Sequence, residues 1–313
     1  MYDLTNLNDD YPELPALNFS QAPKIAVPSI SGSAMLVELS IRNWAGRKLD
    51  KSASQKVTLD NRASTGVANV NKKLLGDCAE LSAVLKFAAG VRNAHYAMTM
   101  PWSDTGLRLL PTSQYFKYNQ TMIDLKAQYF ELVDAFLSSY GWEITQAQVK
   151  LGDLFNPDEY PSAASLQSKF GFGFTFIPLA EAKDWRIDIE HEAKEELEQH
   201  YASYYRRQWE SAMSDVNARL LDVLTRMSER LDYGDNETKK IFRDSLVANV
   251  LEIVELVDAC NLTGDPIMRS NAQALRDALH GIDAADLRDD HRLRAATKKA
   301  VDEVIASLPG LGM

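Results

Sequence analysis

The longest uninterrupted pattern of apolar and polar positions runs from Asp184 to Asp232, where nearly fifty residues pass without a proline or a glycine. Within it Leu197, Tyr201, Tyr204, Met213, Val216, Leu220, Val223, Met227 and Leu231 advance largely by alternating threes and fours, the spacing of a coiled-coil seam. Between Tyr204 and Met213 the pattern slips and Trp209 takes over, as in a stutter. The pattern predicts one long helix, capped at Asp184 and stopped at Tyr233-Gly234. Such a helix needs a partner for its apolar stripe. Thr112 to Tyr140 offers one, because Tyr115, Tyr118, Met122, Leu125, Tyr129, Leu132 and Phe136 keep the same alternation. The two stretches are expected to lie antiparallel, as a stalk with roughly 40 Å of paired length at 1.5 Å rise per residue. Gly141 is expected to end the shorter helix in the left-handed conformation.

Period-two alternation marks the strands. Met35, Val37, Leu39 and Ile41 alternate with Glu38, Ser40 and Arg42, predicting a half-buried strand over Met35 to Trp44. Leu107 to Leu110 is a second candidate, and Gly171 to Ile177, where large apolar residues alternate with glycine or threonine, is a third. Shorter helical patterns cover Lys51 to Asn61, Leu74 to Tyr96, Ala163 to Phe170, Glu237 to Ala259, Pro266 to His280 and Ala284 to Ser307. The expected fold is mainly α (α+β): a long antiparallel helical stalk, a small antiparallel or mixed sheet at one end, and a C-terminal helical group. Residues 1–33, with Pro12, Pro15, Pro23 and Pro28 among polar neighbours, read as an extended N-terminal arm. Residues 34–232 then hold the sheet and stalk, and 235–308 the C-terminal group.

Composition narrows the function classes. The chain has 313 residues, a net charge of −10, and no apolar run near the roughly 18 residues that cross a bilayer. Its first ten residues are acidic, unlike a signal peptide, so a cytoplasmic location is expected, the host cytoplasm if the chain is phage-encoded. The negative charge argues against a surface that coats nucleic acid or anionic lipid over its whole extent. Cys78 and Cys260 lack CxxC or Cys/His spacing and read as buried free thiols.

Catalytic and cofactor signatures are weak. His95, His191, His200, His280 and His291 lack metal-ligand spacing, and Glu196 with His200 at i,i+4 reads as a solvated pair. Gly171-Phe172-Gly173 lacks the third glycine and the following helix of a phosphate loop. Tyr204-Tyr205-Arg206-Arg207-Gln208-Trp209 interleaves rings and cations as a single-strand groove does, but helical geometry sends the rings inward and the guanidiniums to water. In the last helix Arg288, Arg292 and Lys299 share one side, and Arg294 and Lys298 widen the basic surface. That stripe is open to three readings: a nucleic-acid contact, a contact with the acidic face of another subunit, or a solvated face paired with Asp286, Asp289 and Asp290. No catalytic residue, metal or cofactor is assigned.

Asn43-Trp44-Ala45-Gly46-Arg47-Lys48 after the first strand, together with the Phe-rich strand and the very long helix, resembles a family of unknown function from tailed bacteriophages and conjugative plasmids. Genes of that family are often found near a MoxR-type AAA+ ATPase. The resemblance covers residues 34 to 232. It implies a phage or plasmid accessory protein, with Trp44, Gly46, Arg47 and Lys48 as positions for a partner surface; read from the residues alone, the same turn sets Trp44 into the core. The function expected first is therefore a non-enzymatic accessory protein that self-associates and engages a protein partner, an AAA+ ATPase among the candidates. A nucleic-acid binder using the last helix comes second and an enzyme third.

Overall fold

The structure is a computed structural model that describes residues 32–179, 191–233, 245–262 and 264–308, with backbone alone over 191–198. All but the end of the expected arm, and the expected cap at Asp184, lie outside these residues. The fold is mainly α with a small amount of antiparallel sheet.

The strands are β1 (Ala34–Arg42), β2 (Arg47–Asp50), β3 (Val70–Lys73), β4 (Met100–Pro101), β5 (Arg108–Pro111) and β6 (Gly171–Pro178). The helices are α1 (Lys51–Asp60), α2 (Ala79–Met98), α3 (Tyr115–Leu151), α4 (Ala163–Gln167), α5 (His191–Leu231), α6 (Ser245–Cys260), α7 (Pro266–Leu279), α8 (Ala284–Asp289) and α9 (His291–Ser307). Four strands form one antiparallel sheet in the order β4-β5-β1-β6, and β2 pairs with β3 in a separate ribbon.

The four-stranded sheet divides two hydrophobic cores. Val37, Leu39 and Ile41 of β1 stand opposite Phe176, Phe174 and Phe172 of β6, and this face joins α2 and α3 in the first core. Cross-strand aromatic and β-branched pairs are the unit that stabilises such a face. Ala34 and Leu36 point the other way into a second core built on α5 and the C-terminal helices. β5 is split likewise, Leu109 entering the second core and Leu110 the first. Farther along β1 the second face is open, with Glu38, Ser40 and Arg42 exposed. The guanidinium of Arg42 crosses Gly171 so closely that a Cβ there would sit 2.8 Å from its Nε.

The expected stalk pairs differently. The partner of α3 is α2: His95 near the end of α2 meets Tyr118 at the start of α3, and Cys78 and Glu80 at the head of α2 lie beside Glu143. Those two meetings fix an antiparallel pair. The long helix α5 packs instead on α6, α9 and β4, burying Tyr205, Trp209, Ala212, Val216, Leu220, Leu224, Met227 and Leu231. The hydrophobic core therefore runs across the boundary expected near residues 232–235. Both stripes needed apolar partners, and each found one nearer in sequence, where less chain has to be ordered to close the contact.

Two helix ends also differ from expectation. Gly141 lies inside α3, which continues for 37 residues to Leu151 and stops at Gly152, whose φ is +51°. An interior glycine costs only about 1 kcal/mol against alanine, and burial of Tyr140, Glu143 and Ala147 around it keeps the helix going. Conversely, the stretch expected as a single helix from Ala284 breaks at Asp290. Its side chain accepts hydrogen bonds from the Arg292 and Leu293 amides and so starts α9 afresh. Asp283 and Asp286 close a capping box on α8, and Asp265 caps α7 ahead of Pro266 as the sequence indicates.

Candidate functional site

The turn after β1 is structural in its first half. Trp44 lies against Phe136 at a ring separation of 6.1 Å and edge-on to Tyr140 at 5.9 Å. Tyr129 holds the end of β1 by donating its hydroxyl to the Arg42 carbonyl. Gly46 adopts φ +61°, its carbonyl accepts from the Leu74 amide, and a Cβ there would meet Leu81 Cδ2 at 2.7 Å. Only glycine fits both demands without strain. Arg47 and Lys48 begin β2 and are exposed, Lys48 reaching Glu159 at 3.8 Å. Beneath them Lys72 is buried between Glu159 at 2.7 Å and Asp50 at 3.4 Å, and donates to the Leu154 carbonyl. Desolvation works against its charge, but hydrogen bonds and attraction from Glu159 and then Asp50 outweigh it and raise the Lys72 pKa. Two of the four turn positions thus face solvent and the other two hold the fold.

The basic stripe is divided between two helices. Arg288 lies on α8 and Arg292 on α9, so the break at Asp290 removes the common helical projection. Arg294 is only 3% exposed. Its guanidinium donates to the carbonyls of Leu287, Arg288 and Tyr233 and stacks 3.9 Å over the Tyr233 ring. It fastens the head of α9 to the end of α5 and is not available to a phosphate. Lys298 pairs with Asp302 at 2.7 Å, and Lys299 lies 3.7 Å from Glu303. The Asp302 pairing is the first cause that raises the Lys298 pKa. Of the five cations Arg294 is thus buried and Lys298 ion-paired, while Arg292 and Lys299 stay exposed seven residues apart on α9.

The aromatic and basic run on the long helix divides as its geometry predicts: Tyr205 and Trp209 are buried while Arg206 and Arg207 face water.

What the sequence reading overlooked is the outward side of α3. Phe116, Ile123, Phe130, Leu137 and Ile144 recur at seven-residue intervals. A straight α-helix drifts about 20° per heptad against such a row. The row consequently turns from solvent into the core: Phe116 is 83% exposed and Ile123 46%, while Phe130, Leu137 and Ile144 pack partly on the first core. Trp142 and Val149, on a different side near the other end, are 62% and 82% exposed. Phe116 is edge-on to Tyr115, and the adjacent Lys117 forms an ion pair with Glu255 of α6. The ring thus stands on an anchored part of the surface. A seven-residue row presented to water is geometry that a second helix can cover.

Among the described residues no helix is long and apolar enough to cross a membrane. No protein-family model, curated protein or solved structure matches the chain.

Proposed function

We propose that the chain is a non-enzymatic assembly protein that self-associates by covering the Phe116–Ile123 end of α3 with a second copy. The observation that carries this reading is the exposure of two large apolar side chains one heptad apart, Phe116 and Ile123, in a row whose later members Phe130, Leu137 and Ile144 pack on the core. Removing such side chains from water on association is worth about 25 cal/mol per Å² of apolar surface, before the costs of ordering two chains. The resemblance to phage and plasmid accessory proteins extends the proposal to a protein partner of the MoxR-type AAA+ class, reached through Arg47 and Lys48 at the exposed half of the Trp44 turn.

Light scattering after size exclusion tests the first part. The unaltered chain should elute at a multiple of its 35.0 kDa mass, and Phe116→Glu combined with Ile123→Glu should return it to a monomer with unchanged circular dichroism. A monomer at micromolar concentration, or a double variant that keeps its mass, would sink the reading. For the second part, a purified MoxR-type ATPase should change its ATP turnover on mixing with the chain, and Arg47→Glu with Lys48→Glu should remove that change.

A further inference from the structure

Cys78 is the N-cap of α2, where its Sγ accepts from the Leu81 amide at 3.5 Å. It also lies 3.6 Å from Glu80 Oε2. From α3, 65 residues later in the chain, Glu143 reaches the same place, and one ligand atom from each of the three residues lies within 4.8 Å of the others. Glu143 is only 4% exposed, and its Oε2 is buried without a hydrogen-bond partner. Among the described residues no lysine, arginine or histidine forms an ion pair with Glu80 or Glu143. A buried carboxylate oxygen facing a thiol and a second carboxylate, with no cation among them, is costly on its own, because buried charges persist when paired or bound to a metal.

We propose that Cys78, Glu80 and Glu143 bind a zinc ion. A thiolate beside two carboxylates is a borderline-soft donor set, which suits zinc and not the oxygen-seeking calcium or magnesium. Zinc–sulfur bonds of about 2.3 Å and zinc–oxygen bonds of about 2.0–2.2 Å place tetrahedral ligands closer together than 4.8 Å, so the three side chains draw inward around the ion. Burial and the two carboxylates hold the thiol proton on Cys78, so the ion itself must displace that proton to solvent as it binds. Glu80 is half-buried and leaves a way in from the surface. A water completes the tetrahedron. The ion then clamps the head of α2 to α3, at the opposite end of the antiparallel pair from the His95–Tyr118 contact.

Cobalt(II) in place of zinc makes the thiolate visible through its charge-transfer absorption in the near ultraviolet. Chelator-treated protein titrated with cobalt chloride should develop that band at one equivalent and lose it on adding zinc. Cys78→Ser should abolish the band, while Cys260→Ser should keep it. Glu80→Ala, at a half-buried position that tolerates truncation, should weaken zinc binding by at least the roughly 10–100-fold typical of losing a supporting group, and Glu143→Gln likewise. Zinc should raise the melting temperature of the unaltered chain and leave that of Cys78→Ser unchanged. Absence of the band, its survival in a folded Cys78→Ser variant, or full affinity in folded Glu80→Ala would overturn the proposal.

Discussion

At the scale of single residues, His95 and Gly46 show how burial sets chemistry. His95 is enclosed near the end of α2 with Nδ1 at 2.8 Å from the Tyr118 hydroxyl. Burial first and the charge of Arg108 second push its pKa from 6.5 down to about 4. As pH falls below 6.5 the unfolded chain takes up this proton first, so stability present above 6.5 is lost on the way through 4. At 1.36 kcal/mol per unit the full effect is about 3 kcal/mol. A His95→Gln variant keeps a polar partner for Tyr118 but has no proton to gain. Urea midpoints at neutral and mildly acidic pH should therefore differ less in the variant than in the unaltered chain; an equal difference in both would show that His95 does not carry it. At Gly46 the left-handed backbone costs an L-residue about 1–2 kcal/mol, and displacement of Leu81 adds to that. Gly46→Ala should lower stability by about 1–3 kcal/mol, and a thermal melt unchanged from the parent would contradict the strain described.

At the scale of elements, period and capping made most of the fold legible in advance. The strands over Met35, Leu107 and Gly171 and the caps at Asp265 and Asp283 appear where their residues place them. The ribbon β2–β3 and the strand β4 were not legible, because two to four polar or mixed residues carry no measurable alternation. Helix partners were illegible for another reason. A three-four stripe states that a partner is needed but not which one, and α3 and α5 each answered with a neighbour other than the long helix expected. The candidate surface on α3 was hidden beside the seam of Tyr115, Tyr118, Met122 and Leu125: Phe116 and Ile123 begin a second heptad row, and only the drift of about 20° per heptad along 37 residues separates its exposed end from its core end. The zinc ligands were out of reach, since Glu143 stands far from Cys78 in the chain and looks like any surface glutamate on a helix. Gly141 supplies a direct check on the helix that carries them. Nothing lies within 4 Å of a Cβ placed there. Gly141→Ala should then stabilise the chain by about 0.5–1 kcal/mol as an interior helix position does. A loss of stability would return Gly141 to the left-handed cap that the sequence pattern suggested.

At the scale of the whole molecule, the same strands serve both cores. Ala34 and Leu36 of β1 and Leu109 of β5 enter one, while Met35, Val37 and Leu110 enter the other. Arg219 of α5 strengthens the link, donating to the carbonyls of Tyr96 and Thr99 at the end of α2, where a cation also complements the helix dipole. Met100 of β4 meets Cys260 of α6 at 3.2 Å, with Cys260 wholly inside and its thiol pushed up to about 12 by burial. Neither core can come apart without uncovering the opposite face of strands the other depends on, so the two should unfold together. Trp44 reports on the first core and Trp209 on the second. In variants that retain only Trp44 or only Trp209 of the chain's five tryptophans, fluorescence-detected urea transitions should coincide within error. Leu109→Ala, which opens a cavity in the second core alone, should cost about 2–5 kcal/mol and move the Trp44 transition as far as the Trp209 transition. If only the Trp209 transition moves, the sheet is a passive wall between two independently stable halves, and the coupling inferred from its two faces is wrong.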